Sequence, residues 1–363
     1  MRKKDTLGGR YLVPVIALAL FALGGAAQAQ PFGSWLNLTG SPTHGFVRIP
    51  HSAALNPTAA FTLEAWVSIT NNPVGEDCRS IAGKNWNQAW WVGLCTVGGR
   101  PTLRSYLKGT SSLKQGGEIE PGRWTHVAVV FTGTQRRHYI NGELALQSAE
   151  TAPLTTSTDE MRIGSDVQWQ FTPSGGIDEV RLWNVARTQQ QLRDNMDNPI
   201  SAAQAGLVAV WSLDGNANDI IGPHDGSTQG SGVSFVSFPP SATCGAGTAT
   251  TLCLLDRFQI NTRWRTNPNP GSLTDGQAQT VGCANDGSGL FWFFSADNWE
   301  VMVKALNGCS LNNRYWIFSA ATTNVFYRME VLDRQGRAQK IFFNYPGPPA
   351  PAVTDTSAFA TCP

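Results

Sequence analysis

Carboxylate and amide oxygens are the groups of this sequence that most directly predict chemistry, because they could bind calcium. Asp178 shares strand parity with Val180 and Leu182, two residues typical of a buried face. A carboxylate that points into a core needs a cation or several hydrogen-bond donors. The sequence therefore predicts a calcium ligand at Asp178, with a structural carboxylate that accepts backbone N–H bonds or pairs with an arginine as the alternative.

A second calcium candidate is the polar run that follows Leu207–Leu213. Its oxygens belong to Asp214, Asn216 and Asn218, with Asp225 eleven residues after the first of them. This spacing partly matches an EF-hand loop, but Asp219 occupies the glycine position, Asp225 replaces the bidentate glutamate, and no helices are expected on either side. The alternative is a polar turn in which Asn and Asp side chains bind their own backbone.

Tryptophans outside the predicted core could stack on sugar rings beside polar hydrogen-bonding groups. Trp86 lies in a predicted hairpin loop, Trp91 points away from the predicted core face, and Trp169 lies in the loop-like stretch 165–176. These three residues are the predicted ligand-binding residues, and an ordinary packing role is the alternative for each. Other tryptophans fit core positions: Trp66, Trp124 and Trp183.

Catalytic arrangements are weakly represented. Glu118 and Glu120 point to the same side of one segment but precede Pro121 in a turn. Asp178 and Glu179, which are adjacent in the sequence, point to opposite faces of their strand. The histidines have no nucleophile-elbow or metalloprotease context. We therefore predict no catalytic residues, and an enzyme with an unrecognised site is the weakest of the functional alternatives.

Strands must position these residues. The chain has 37 Gly, 13 Trp and 17 Phe but only 15% charged residues, which favours strands and turns over helices. Phe61–Val67 alternates apolar and polar residues, Trp124–Phe131 is typical of a buried strand, and Asn141-Gly142 predicts a hairpin turn. One short helix is predicted at 189–196, with Thr188 as its cap.

A hairpin near the middle of this region predicts a disulfide. If Cys78 lies opposite Cys95, antiparallel partners place Ile81 opposite Val92 and Ala82 opposite Trp91. The same register gathers the apolar residues on one face and both cysteines on the other, whereas a shift of one residue would divide each set. Cys78 and Cys95 are therefore predicted to be bonded.

The N-terminus predicts export. Arg2, Lys3 and Lys4 precede an apolar run over 11–25, and the run ends before Ala27-Gln28-Ala29. This pattern is typical of a signal peptide over 1–29, with an uncleaved anchor as the alternative. Its removal leaves 23 basic and 25 acidic residues, a nearly neutral balance that argues against nucleic-acid partners. The seven cysteines then predict disulfides in a secreted, extracellular or periplasmic protein, with no membrane insertion after cleavage.

Two modules follow the signal peptide. Residues 32–238 form the first, a Pro/Gly/Ser-rich stretch over 239–251 is typical of a linker, and 252–363 form the second. Six or seven strand-like runs in the second module predict a smaller, immunoglobulin-sized β-sandwich. Spacing leaves its disulfides open: Cys253 could bond Cys309 or Cys362, and Cys283 is the extra cysteine.

Five motifs of the first module together resemble the laminin-G-like, pentraxin-like branch of the concanavalin A-like jelly rolls: Phe61–Val67, Gly122–Val129, Tyr139–Glu143, Met161–Gly164 and Gly176–Asn184. The resemblance implies two packed antiparallel sheets and non-catalytic binding of glycans or proteins, often with calcium. Residues 39–46 lack the acidic residues that the family often carries there, and the chain lacks the Glu-x-Asp-x-x-Glu run of laminarinase-type enzymes. The second module resembles a small β domain found at the C-terminus of exported bacterial proteins, through the segments Leu252–Leu254, Gly289–Phe294, Val301–Leu306 and Thr361–Pro363.

The sequence thus predicts an all-β, two-sheet jelly roll followed by a second β-sandwich. Its predicted function is the non-catalytic recognition of a glycan or surface polymer, with calcium as a candidate cofactor. The alternative is a structural or adhesive protein whose partner is an extracellular protein.

Overall fold

The structure, a computed structural model, describes residues 33–40, 43–70, 78–108, 112–151, 153–167, 171–238, 243–267, 276–347 and 350–363. The predicted signal peptide lies outside these residues. In the described part of the chain, no helix is long and apolar enough to span a membrane.

The first module is a sandwich of two antiparallel sheets. Its strands are β1 Trp35–Thr39, β2 Phe46–Ile49, β3 Phe61–Ile69, β4 Cys78–Gly83, β5 Trp91–Val97, β6 Arg100–Tyr106, β7 Lys114–Glu118, β8 Thr125–Phe131, β9 Gln135–Ile140, β10 Glu143–Ala149, β11 Met161–Ile163, β12 Ser174–Trp183, β13 Leu207–Trp211, β14 Ser227–Gln229 and β15 Val233–Val236. Sheet A has the order β10-β9-β8-β3-β12-β1-β15, with β13 also paired to β12, and sheet B has the order β14-β2-β11-β4-β5-β6-β7. The predicted two-sheet jelly roll is confirmed.

The core of this module lies between sheets A and B. On β3, Leu63, Ala65 and Val67 join the core, whereas Glu64 and Trp66 point to the outer face of sheet A. Both faces of β3 are buried, because other parts of the chain cover the outer face. The tryptophans predicted as core, Trp66, Trp124 and Trp183, are therefore buried outside the space between the sheets.

The cysteine hairpin is formed by β4 and β5. Cys78 lies opposite Cys95, and the two are joined by a disulfide with a Cα–Cα distance of 4.1 Å. The predicted register holds as far as Ser80 opposite Gly93 and is then wrong by one residue, because a bulge between Ser80 and Ala82 places Ala82, rather than Ile81, opposite Val92. The bulge leaves the faces as expected, with Val92 in the main core and the cysteines in a separate cluster.

Local signals in the sequence correctly predicted one α-helix and one hairpin turn. Helix α1 spans Gln189–Asn195, and Thr188 and Gln191 form the capping box. A short 3-10 helix, Ala53–Leu55, lies between β2 and β3 and was not predicted. Asn141 and Gly142, with φ of 49° and 73°, form the turn between β9 and β10.

The second module is also a two-sheet sandwich. Its strands are β16 Leu252–Leu254, β17 Phe258–Arg265, β18 Gly276–Gln277, β19 Gln279–Asn285, β20 Ser288–Ser295, β21 Asn298–Asn307, β22 Tyr315–Ala321, β23 Phe326–Asp333, β24 Ala338–Asn344 and β25 Val353–Phe359, and helix α2 spans Cys309–Asn312. Sheet C has the order β16-β17-β23-β24 with β18 paired to β17, and sheet D has the order β19-β20-β21-β22-β25. These ten strands in the described chain exceed the six or seven predicted. The additional strands are β16, β18, β19 and β25, of which β16 and β18 have only three and two residues.

The disulfides of the second module correct both suggested partners of Cys253. Cys253 is bonded to Cys244, and Cys309 is bonded to Cys362. Cys244 falls within the stretch predicted as linker, and its backbone N–H bonds the carbonyl of Asp256. The residues from Cys244 onward are thus tied to the second module. The side chain of Cys283 lies outside the described part.

The outer faces of sheets A and C pack against each other. Trp66 of sheet A stacks on Phe343 of sheet C, with ring centroids 6.5 Å apart. Two oxygens of the buried Glu143 accept hydrogen bonds of 2.9 and 2.8 Å from the buried Arg265. The Tyr345 hydroxyl donates to the carbonyl of Asn141 at 2.9 Å. The two modules are therefore joined through aromatic packing and a buried ion pair.

Candidate functional site

A cleft of about 650 Å³ opens at one side of the contact between the modules. Its volume falls within the range of small-molecule sites, roughly 300–1,000 Å³. The first module contributes the ends of β1, β3 and β15 and the turn before β8, and the second contributes β23 and β24. The lining residues are Trp35, Ser68, Glu120, Pro121, Gly122, Arg123, Trp124, Ser237, Phe238, Arg328, Glu330 and Gln339.

One wall of this cleft is aromatic. The rings of Trp35 and Trp124 meet edge to face at a centroid distance of 5.5 Å, and Phe238 lies 4.9 Å from Trp35. The pairing of Trp35 with Val236 across β1 and β15 brings Phe238 to this position. A Cβ added to Gly176 would lie 2.6 Å from the Trp124 ring and 2.8 Å from the Trp35 ring, so only glycine leaves room for both rings.

The other wall is charged. Arg123 bonds Glu120 at 2.9 Å and lies 3.4 Å from Glu330, and Arg328 lies 2.7 Å from Glu330. Arg263 of β17 approaches Glu120 at 3.4 Å from behind. The lining of the cleft thus holds two guanidinium groups, Arg123 and Arg328, and two carboxylates, Glu120 and Glu330, so its formal charges balance. These ion pairs join residues of both modules.

Glu330 of this wall is suited to accepting hydrogen bonds rather than to proton transfer. Burial would raise the pKa of Glu330, but the adjacent Arg328 and Arg123 hold it below the usual range of a glutamate. A glycosidase needs one carboxyl group with a raised pKa to protonate the leaving oxygen. Glu330 stays ionised and can only accept hydrogen bonds.

A second aromatic cluster lies on the outer face of sheet B and contains two of the predicted ligand-binding residues. Trp91 packs against the Cys78–Cys95 disulfide and donates its indole N–H to Ser80 at 2.8 Å. It is 2% exposed, so the expectation that Trp91 offers an exposed stacking face is wrong. Trp86 is half-buried against Tyr106, and Trp169 lies outside the described residues.

Asp178 does not point into the core. Ile177 pairs with Val67 and Asp178 with Trp66, but the next paired residue is Arg181, opposite Glu64. A bulge at Glu179, whose φ is 49°, interrupts the alternation. The parity argument fails for this reason, and the Asp178 side chain lies on the outer face of sheet A, buried beneath the covering segments. Its predicted calcium-binding role stays a prediction.

The loop with EF-hand-like spacing uses several of its oxygens on its own backbone. Asn216 Oδ1 accepts from the N–H of Asn218, and Asp225 Oδ1 accepts from that of Asp219, both at 2.9 Å. The buried Asp219 accepts from the N–H groups of three residues, Val210, Ile221 and His224. These contacts are those of the polar turn that was the alternative.

Asp214 keeps one carboxylate oxygen free of the loop. Its Oδ1 accepts from the backbone N–H of Ser34 at 3.1 Å, and its buried Oδ2 has no hydrogen-bond partner among the residues that the structure describes. Burial raises the pKa of Asp214 to about 6, and the nearby Glu179 adds to the effect. Within the described ranges, the one group of three His, Cys, Asp or Glu ligand atoms is Cys244, Cys253 and Asp256, and its cysteines form a disulfide. Calcium at Asp214 stays a prediction.

Sequence reasoning did not identify the cleft. Trp124 was expected in the core, Glu120 was noted only as half of a carboxylate pair, and Trp35 carried no expectation. The alternation of β3, which places Trp66 away from Leu63 and Val67, was the available sign that a second buried surface lies outside sheet A.

Part of the first module is similar to known proteins. Residues 41–193 match the family model Laminin_G_3, described as the concanavalin A-like lectin/glucanases superfamily. Pappalysin-1 of Mus musculus is 34% identical over 163 residues, which cover 39% of this chain, and pappalysin-1 of Homo sapiens is 26% identical over 164 residues. The chain spans about a tenth of the length of these relatives, 10% in each case.

Several solved structures are similar to part of this chain at low identity. One is a putative carbohydrate binding protein from Bacteroides ovatus, with 22% identity, a TM-score of 0.46 and coverage of 56% of this chain and 59% of that chain. Another is the heptameric SAP-like pentraxin from Limulus polyphemus, with 18% identity, a TM-score of 0.36 and coverage of 46% and 82%.

Proposed function

We propose that this chain, with a laminin-G-like jelly roll as its first module, is an exported protein that binds a glycan without cleaving it. The site is the cleft between the modules. The observation that carries the proposal is the pairing, in one cleft, of an aromatic wall with a hydrogen-bonding wall of charged groups.

The two walls match the two surfaces of a sugar. Sugar rings present C–H groups that pack on aromatic rings such as Trp35 and Phe238, and hydroxyls that exchange hydrogen bonds with guanidinium and carboxylate groups. Arg123 and Glu120 are partly exposed, with about a quarter of each side chain accessible, 27% in both cases, so they can reach a ligand.

A glycan array and a panel of immobilised polysaccharides, probed with the exported chain, test this function. We expect binding to at least one glycan, with Trp35→Ala weakening the affinity by roughly tenfold or more because a stacking ring is lost. Trp86→Ala tests the other site predicted from the sequence, since it removes a half-buried tryptophan from the loop between β4 and β5, outside the cleft. Loss of binding in Trp86→Ala with full binding in Trp35→Ala would contradict a cleft site.

Further arms of the same experiment separate the alternatives. EDTA should abolish binding only if calcium assists it. Release of reducing sugar from any polymer of the panel would contradict a non-catalytic role. If no glycan binds and the chain instead captures an extracellular protein, the adhesive alternative is favoured.

A further inference from the structure

The cleft between the modules holds two ion pairs, and the outer one is the pair that a ligand can reach. About a quarter of the side chains of Arg123 and Glu120 is accessible, 27% of each, whereas those of Arg328 and Glu330 are only 6% and 12% exposed. All four residues line the cleft. The hydrogen-bonding character of the Arg123–Glu120 pair therefore decides which sugars the charged wall accepts.

In the described part of the chain, each side chain of this outer pair has one polar atom left for a ligand. Arg123 bonds Glu120 through Nε at 2.9 Å and approaches Glu330 through Nη1 at 3.4 Å, which leaves Nη2. Glu120 receives both Arg123 and Arg263 on Oε1, which leaves Oε2. A guanidinium can only donate hydrogen bonds and an ionised carboxylate can only accept them. The outer pair thus offers a donor beside an acceptor.

We propose that the glycan bound in this cleft is an uncharged one, held by two adjacent ring hydroxyls that bridge Arg123 and Glu120. The inference rests on the proposed glycan-binding function and names the class of sugar. A hydroxyl can both donate and accept. One hydroxyl can therefore accept from Nη2 of Arg123 while its neighbour donates to Oε2 of Glu120, and the ion pair between the two side chains stays intact.

A charged sugar fits the same two atoms less well. A carboxylate on the sugar can accept from Arg123, but it has no proton for Glu120 and is repelled by that like charge. Arg123 already bonds two carboxylates, Glu120 and Glu330, so a third must compete with both. An ammonium group has the opposite problem, because it can donate to Glu120 but is repelled by Arg123. A sugar of either charge weakens an ion pair that an uncharged sugar leaves in place.

The remainder of the lining agrees with an uncharged ligand. The formal charges of the two ion pairs balance, so the lining has no net charge that would attract an ion. Its other polar side chains are neutral and belong to Ser68, Ser237 and Gln339. Hydroxyl and amide groups both donate and accept, as sugar hydroxyls do. The lining thus complements hydroxyls rather than acidic or basic groups.

Matched pairs of immobilised polysaccharides, each a neutral polymer with a carboxylated relative, test the class of sugar. The pairs are dextran with carboxymethyl-dextran, galactan with polygalacturonate, and xylan with glucuronoxylan. We expect the wild-type chain to bind the neutral member of a pair at least about tenfold more tightly, and uncharged sugars to give the signal on the glycan array. The affinity for the neutral member should change by less than about twofold between roughly 20 and 500 mM NaCl, because an uncharged ligand makes no ion pair that salt can screen.

Glu120→Gln tests the role of the outer pair. Loss of this carboxylate gives the lining one excess positive charge and removes the group that repels an acidic sugar. The preference for the neutral member should fall by at least about threefold, because the carboxylated member then gains a net attraction. Glu118→Gln is the matched control, since it removes the same charge from a residue that pairs with Arg100 outside the lining of the cleft. It should keep the wild-type preference, and equal melting temperatures would show that both variants remain folded.

Two results would overturn the inference and leave the proposed glycan-binding function in place. One is tighter binding of the carboxylated members by the wild-type chain. The other is a preference for neutral members that is the same in Glu120→Gln, Glu118→Gln and the wild type. If no polysaccharide of the pairs and no sugar of the array binds, the proposed function itself is contradicted, so the two failures are distinguishable.

Discussion

His138 has both ring nitrogens committed to hydrogen bonds inside the first module. One nitrogen, Nδ1, is 3.1 Å from the carbonyl of Gly116, and the other is 2.8 Å from the Ser105 hydroxyl, which also accepts from Arg136. The neutral ring satisfies this arrangement by donating from Nδ1 and accepting at Nε2. Burial is the main reason that the pKa of His138 is lowered to about 3, and the charge of Arg136 adds to it. The histidine thus has a structural role, and it makes the protein sensitive to acid.

The pH dependence follows from this lowered pKa. The unfolded chain takes up a proton near pH 6.5, whereas the folded chain does so only near pH 3. The stabilisation is therefore complete above pH 6.5 and is lost as the pH falls toward 3, by roughly 3 kcal/mol at pH 4. His138→Asn, which keeps a donor for Gly116 but does not titrate, should lower the free energy of unfolding at pH 7 yet reduce its loss between pH 7 and pH 4. Urea unfolding at both pH values measures this difference.

His44→Asn provides the control, because His44 is half-buried with a φ of 49°, a conformation that asparagine tolerates. It should leave the acid-dependent loss of stability unchanged. Glu64 adds its own loss at lower pH: burial would raise its pKa, but His126 and two arginines lower it to about 2. Since Glu64 is present in both variants, the difference between them isolates His138. An equal loss of stability in His138→Asn and wild type would contradict this account.

Elements with strong local signals were predictable from the sequence, and elements set by distant contacts were not. The turn at Asn141-Gly142 and the cap at Thr188 depend on neighbouring residues, so their sequence determines them. The bulge at Glu179 could not be predicted, because the bulged residue is not a glycine. The buried Glu179 pairs with Arg181, which lies opposite Glu64 of β3. The cleft was hidden for the same reason. Its aromatic wall combines Trp35, Trp124 and Phe238, which only the completed sheet brings together.

Gly176 of β12 tests how this wall is built. Gly176→Ala should force the rings of Trp35 and Trp124 apart, because the new methyl group would lie 2.6 Å from one and 2.8 Å from the other. We expect a loss of about 1–3 kcal/mol in the free energy of unfolding, a shift in tryptophan fluorescence and weaker glycan binding. Combining it with Trp124→Phe should cost less than the sum of the two single changes, since the smaller ring relieves part of the overlap. Strict additivity would mean that the two residues do not meet.

The contact between the modules organises the whole molecule, because it buries the outer face of sheet A and creates the cleft at its side. The sequence predicted two modules but not their contact. Considered alone, Trp66 resembles a core residue because it lies in a buried strand, and Glu143 resembles a surface charge because it follows a turn. Only the folded chain pairs Trp66 with Phe343 and Glu143 with Arg265. The cleft is therefore a property of both modules together.

Glu143 tests whether the two modules unfold as a unit. Glu143→Gln removes the carboxylate that accepts both hydrogen bonds from Arg265 while that guanidinium remains buried at 3% exposure. Loss of one partner of a buried ion pair costs about 3–5 kcal/mol, which should weaken the contact between the modules more than either core. Calorimetry should then resolve two unfolding transitions, whereas we expect one for the wild type.

Glu118→Gln is the matched control. Its partner Arg100 is 52% exposed, so the loss of free energy of unfolding should stay below about 1 kcal/mol, with one transition retained. A single transition of unchanged midpoint in Glu143→Gln would mean that the ion pair of Glu143 and Arg265 does not help to join the modules. The cleft depends on the contact between the modules, so other contacts would then have to hold it in shape.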